Sequence, residues 1–317
     1  MFDRYLTVHR AGIQMTVFLA LVSMSLFVGS AALTQLHLSF LGFSPAEADT
    51  LDQLTPAMAT PMKWIQVIGL VLTMGLPAFL FAYLAYPKPT EYLGLSTSKQ
   101  PLLLVLGSIM LVSALPLSAW LEIQGQLVPV NAEMKALTDK YAALSTLMLD
   151  GNQWSDLLFN VFVIAITPAI LEELFFRACL QQILLRWFKN KPLMPILITG
   201  FIFSLMHFEA SGFFSRFFLG ALLGLAYYLS GSLWVSIAMH FLNNAVAVVG
   251  YFLYKNHYIQ TNITQTPEHI PAVWLLGSLS ALLFFTWLFW QNRRALPAWE
   301  YHDEIGETPS PKETHYE

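Results

Sequence analysis

The feature that most limits what this chain can fold into is a succession of apolar stretches, each about as long as a bilayer is thick. A membrane-crossing helix needs about 20 mainly apolar residues. Eight stretches approach or exceed that length: Gly12–Leu36, Lys63–Tyr86, Pro101–Leu121, Trp154–Leu185, Pro192–His207, Gly212–Leu229, Leu233–Leu253 and Val273–Trp290. In hydrocarbon every backbone N–H and C=O must be satisfied internally, so such stretches span as helices. The fourth is long enough to project beyond the bilayer, while the short fifth and sixth, separated only by Phe208–Ser211, read as a tight hairpin. The expected fold class is all-α, a polytopic membrane helix bundle of about eight transmembrane helices. Charge agrees: 11% of residues are charged, against about 25% in soluble domains. With 56% hydrophobic residues the chain is not intrinsically disordered. One cysteine excludes an intramolecular disulfide and a CxxC motif. A net charge of −4 without a long basic run points away from a nucleic-acid partner; the expected environment is the lipid bilayer.

Lysine and arginine near the span ends set the expected orientation. With the N-terminus inside, ten basic residues (Arg4, Arg10, Lys88, Lys99, Arg186, Lys189, Lys191, Arg293, Arg294, Lys312) fall on the cytoplasmic side and five (Lys63, Lys135, Lys140, Arg216, Lys255) outside. Both termini are therefore expected to be cytoplasmic. The first span is too long for a signal-peptide core, and the ordinary multi-spanning pattern suits a bacterial inner membrane. Four regions follow. Residues 1–153 hold three spans and an outside loop, 122–153, in which Met134, Leu137, Tyr141, Leu144 and Met148 form one apolar helix face. Residues 154–255 form a core, 256–291 a loop and last span, and 292–317 a polar, disordered cytoplasmic tail. No internal repeat of the inverted-transporter kind is visible.

The informative residues are those that hydrocarbon should repel. Glu172, Glu173 and Arg177 lie in the fourth span, His207 ends the fifth, and His240, Asn243 and Asn244 lie in the seventh. A charge at a helix centre costs about 2.5–3.5 kcal/mol even on the mild insertion scale. Glu173 and Arg177 are i, i+4 and can pair on one face, whereas Glu172 is rotated by about 100° and left free for chemistry. His240 and Asn244, also i, i+4, can face one pocket. At 1.5 Å per residue, Glu172 and His207 sit roughly 21–23 Å from the cytoplasmic edge, and His240 and Asn244 roughly 14 and 20 Å. The four groups can share a layer if their helices pack together. Pro168, one turn before Glu172, removes a backbone bond and kinks the helix.

At these residues the sequence resembles the CPBP family of CAAX proteases and bacteriocin-processing enzymes, also called Abi, which includes the eukaryotic Ras-converting CaaX endopeptidase. Glu172-Glu173-x-x-x-Arg177 is similar to its EExxxR motif, Phe203-x-x-x-His207 to FxxxH, and His240-x-x-x-Asn244 to HxxxN. The resemblance covers about residues 154–250. It implies an intramembrane endopeptidase acting on a membrane-associated peptide or protein. Glu172 and His207 would activate a water, His240 and Asn244 would stabilise the oxyanion, and Glu173, Arg177 and Phe203 would support them. One carboxylate and two histidines (Glu172, His207, His240) would also suit zinc, but without an HExxH motif a metal-independent glutamate mechanism is preferred. Two other functions compete: a non-catalytic membrane scaffold or bacteriocin-immunity protein, and a proton-coupled transporter. Substrate, cleavage site and oligomeric state are not written in the residues.

Overall fold

The computed structural model describes Leu6 and residues 9–42, 55–95, 101–189 and 191–293. The expected tail from 294 onward, and Arg4, Lys99, Arg294 and Lys312 of the charge pattern, lie outside the described residues. We number the main helices α1 (Ala11–Leu41), α2 (Pro56–Ala85), α3 (Pro101–Gln126), α4 (Ala132–Leu149), α5 (Trp154–Trp187), α6 (Leu193–Leu205), α7 (Phe213–Ser230), α8 (Leu233–Lys255) and α9 (Ala272–Gln291). The described residues form a polytopic bundle in which seven helices, all but α4 and α6, are long and apolar enough to cross a membrane.

The expectation of about eight spans is corrected at one place. The stretch Pro192–His207 forms only α6, 13 residues long, which rises roughly 20 Å and falls short of a hydrocarbon core about 30 Å thick. It packs along α7, its most extensive neighbour. Gly200 and Gly220 make this approach possible: an added Cβ at Gly220 would lie 3.2 Å from Gly200 Cα and 3.1 Å from Phe203 Cδ1. The segment 122–126, expected in a loop, continues α3. On α4 the expected apolar face buries Met148 and half-buries Leu137 and Leu144, leaving Met134 exposed; the Tyr141 side chain lies outside the described residues.

Two of the long helices loosen beside prolines. In α2 the π-helical stretch Val71–Gly75 precedes Pro77, and in α5 the stretch Val161–Ile166 precedes Pro168. Proline lacks the N–H that would continue the ladder, and a widened turn is one way a helix absorbs that loss. A third π stretch, Leu174–Gln181, follows Glu173 directly. Helix α5 is thus irregular on both sides of its two glutamates. It packs along α8, while α3 packs against α7, α8 and α9. One apolar cluster, with Phe18, Phe81, Phe176 and Phe203, joins α1, α2, α5 and α6. A second joins α3, α7, α8 and α9 around Met110, Leu223 and Met239.

Candidate active site between α5, α6, α7 and α8

The fully buried part of α5 is neutralised by its neighbours. Arg177 and Glu173 have no exposed side-chain surface, and Arg177 Nη1 lies 2.9 Å from Glu173 Oε1. The other guanidinium nitrogen, Nη2, donates to Gly220 O at 3.1 Å. One turn on, Gln181 Nε2 donates to Gly224 O at 2.9 Å. The i, i+4 pair Arg177/Gln181 thus reads the i, i+4 pair Gly220/Gly224 across the α5–α7 contact. The GxxxG spacing does more than permit close packing: it bares two carbonyls to two buried donors. The Arg177 guanidinium also lies 4.9 Å from the Phe203 ring centroid, within cation–π range.

Hydrogen bonds fix the tautomers of both histidines. His207 Nδ1 lies 2.8 Å from Phe203 O. A carbonyl only accepts, so Nδ1 carries the proton and Nε2 of the neutral ring is left as an acceptor. His240 Nδ1 lies 2.9 Å from Glu173 Oε1, which assigns that proton in the same way. His240 Nε2 then stands 3.9 Å from Glu172 Oε2, too far for a direct hydrogen bond. Glu172 Oε2 is buried and has no hydrogen-bond partner. Glu173 therefore serves two groups at once, Arg177 on its own helix and His240 on α8. The first was expected from spacing; the second was not.

These side chains line one cavity of about 110 Å³, walled by Leu111, Glu172, Phe203, His207, Arg216, Leu219, Leu223, His240, Asn243 and Asn244. All three motifs contribute to it, and Glu173 and Arg177 stand behind it. Asn244 Nδ2 donates to Ile164 O at 3.2 Å, and Asn243 Nδ2 donates to Asn244 Oδ1 at 3.2 Å. The sequence reading missed Arg216, which it counted only as an outside charge. Its guanidinium pairs with Glu209 and reaches Glu209 O, and Ser211 Oγ donates to Glu209 Oε1 at 2.9 Å. This pair clamps the turn after His207, where Phe208 takes a left-handed φ of 52°, an unfavourable conformation for a bulky residue. The one available signal was the position of Arg216 on the same short hairpin as His207.

Glu172, His207 and His240 do not converge into a cluster of three ligands, and no other group of three His, Cys, Asp or Glu among the described residues does so.

No curated protein and no solved structure matches the chain. One family model does, that of the type II CAAX prenyl endopeptidase Rce1-like proteins, over residues 154–246. The matched segment opens with α5 and runs through α6 and α7 to just past Asn244 on α8. It contains every residue of the three motifs. With its apolar helices, the chain is an integral, multi-pass membrane protein. Over the segment that builds the cavity, it is similar to the CAAX prenyl endopeptidase Rce1-like family.

Proposed function

We propose that this protein is an intramembrane endopeptidase that hydrolyses a peptide bond of a membrane-associated protein or peptide. The observation that carries the reading is the single cavity that gathers Glu172, His207, His240 and Asn244 from α5, α8 and the turn after α6. A water in it meets two acceptors, the free oxygen of Glu172 and Nε2 of His207. Glu172 takes the proton as the water attacks the scissile carbonyl, and returns it to the departing amine. The developing oxyanion then faces the amide of Asn244 and Nε2 of His240. To donate from Nε2, His240 must carry protons on both nitrogens, because Nδ1–H is already committed to Glu173. That form balances the site: two carboxylates, Glu172 and Glu173, against Arg177 and the imidazolium. The mechanism we propose needs no metal, and the membrane we propose is a bacterial inner membrane, as the ordinary multi-spanning pattern supports.

The test is a comparison of purified wild type with Glu172→Gln in detergent, on farnesylated and unmodified peptides, with and without a chelator. Wild type cleaves and the variant loses activity by more than about 100-fold while unfolding at the same temperature. Cleavage by Glu172→Gln at the wild-type rate refutes the assignment. Loss of wild-type activity to the chelator refutes the metal-independent step.

A further inference from the structure

Among the described residues, Arg216 is the one lysine or arginine in the wall of the cavity that holds Glu172 and His207. The hydrolysis proposed above gives it no part, and the charge of Arg177 is already spent on Glu173. Arg216 stands in the first turn of α7, where the helix dipole disfavours a cation and favours an anion. Gly212 makes room for it: a Cβ there would lie 2.6 Å from the guanidinium carbon, so the guanidinium occupies the place of any side chain at 212. A guanidinium carries five N–H groups. Nη2 pairs with the Glu209 carboxylate, and Nη1 reaches Glu209 O only at 3.5 Å. The two side chains are 25% and 27% exposed, and a partly exposed ion pair contributes little. Ser211 Oγ also donates to Glu209 Oε1 at 2.9 Å, so Glu209 keeps a partner if Arg216 leaves it.

We infer that Arg216 is a specificity-determining residue: it binds a carboxylate of the substrate close to the scissile bond, in exchange for Glu209. The inference rests on the peptidase reading and narrows its substrate class. Its present partner is a carboxylate, so the guanidinium already meets the kind of group it would receive, and its planar fork suits that group. The unpaired carboxylate of Glu172 lines the same cavity and repels an anion that no cation receives. Arg216, Leu219 and Leu223 follow at spacings of three and four along α7 and wall the cavity together. A substrate thus meets the cation at the start of α7 and an apolar wall beyond it. One cavity of about 110 Å³ holds both Arg216 and the hydrolytic groups, so the carboxylate lies near the bond that is cut. It comes either from the chain terminus or from an acidic side chain.

The experiment compares peptides in pairs that differ by one charge: a free C-terminus against its amide, and glutamate against glutamine near the C-terminus. Wild type prefers the acid member of one pair by about tenfold or more in kcat/KM, mainly through KM, and the pair that responds identifies the source of the carboxylate. In Arg216→Gln the preference falls to near one, and Arg216→Lys, a point charge without the fork, keeps part of it. Loosening the turn after His207 slows both members of a pair alike, so the ratio isolates recognition from the clamp. Glu209→Gln removes the internal competitor and lowers KM for the acid member alone. A wild type that prefers the acid in no pair overturns the inference, as does a preference that Arg216→Gln leaves intact. Where wild type cleaves no peptide, the same labelled pairs are read as ligands by equilibrium binding in detergent. An acid preference in Kd that Arg216→Gln abolishes upholds the site although the peptidase reading fails, and equal Kd values within every pair overturn it.

Discussion

Arg177→Met is the substitution whose consequence the geometry fixes most closely. The guanidinium and the Glu173 carboxylate are both fully buried, 2.9 Å apart. Methionine keeps apolar volume beside Phe203 but removes the charge. Glu173 is then left in the bundle without its cation, though His240 Nδ1–H still donates to it, and Gly220 O loses its donor. Breaking a buried pair by removing one partner costs about 3–5 kcal/mol. At about 2–4 °C per kcal/mol for a domain of about 150–250 residues, the unfolding temperature should fall by about 6–20 °C. Removing both charges, in Glu173→Gln/Arg177→Met, leaves no uncompensated ion, and the introduced side-chain amide can still accept from His240 through its oxygen. Replacing a buried pair by neutral groups is often nearly neutral, so the double variant should be more stable than Arg177→Met alone. The assay is thermal unfolding in mild detergent, followed by the fluorescence of the nine tryptophans. A double variant that falls by the sum of the two single losses would refute the claim that Glu173 and Arg177 neutralise each other. So would an Arg177→Met protein as stable as wild type.

Two further outcomes follow from the packing. Gly220→Val places a branched side chain where a Cβ alone would lie 3.1 Å from Phe203 and 3.2 Å from Gly200 Cα; it should destabilise by about 1–3 kcal/mol, and unchanged unfolding would refute the close α6–α7 contact. Glu209→Gln removes the anion that holds Arg216 over the turn after His207. The pair is partly exposed, so the stability loss should stay under about 1 kcal/mol, while kcat should fall about tenfold through the displaced His207; wild-type kcat would show that the clamp does not position the histidine.

The spans and the three motifs were legible because each rests on a local period. Apolar length marks a span, and i, i+4 spacing brings Glu173 to Arg177 and puts Phe203 beside His207, whose ring centroids lie 4.9 Å apart. The contacts that complete the site are not local. The bond between His240 and Glu173 joins residues 67 apart, and that between Asn244 and Ile164 joins residues 80 apart; no period announces either. The end of α6 was also hidden. His207 was expected to close a helix, but α6 stops at Leu205 and the chain turns through Phe208 at φ 52°. A left-handed position filled by phenylalanine rather than glycine gives no turn signal. Arg216 was misread for a related reason: a single basic residue near a span end counts as a topology signal, and only the fold shows that the hairpin brings it to the wall of the cavity.

How a bilayer tolerates this many polar groups follows from the order in which they are paired. Bare carbonyls of Gly220 and Gly224 on α7 take the buried donors Arg177 and Gln181. Arg177 offsets Glu173, and Glu173 accepts from His240. Pairing stops there: His240 Nε2 stands 3.9 Å from Glu172 Oε2. Glu172 Oε2 and Glu173 Oε2 both lack a hydrogen-bond partner, but only Glu172 lines the cavity. A structural network would end by satisfying its last member, because an unpaired buried carboxylate is the most expensive group to keep. This one ends with a carboxylate, an imidazole nitrogen and an amide facing a space large enough for water. The stability given up there is what the proposed general-base hydrolysis would require, and it is why the unpaired oxygen of Glu172, rather than the ion pair behind it, is where we expect the proposed chemistry to begin.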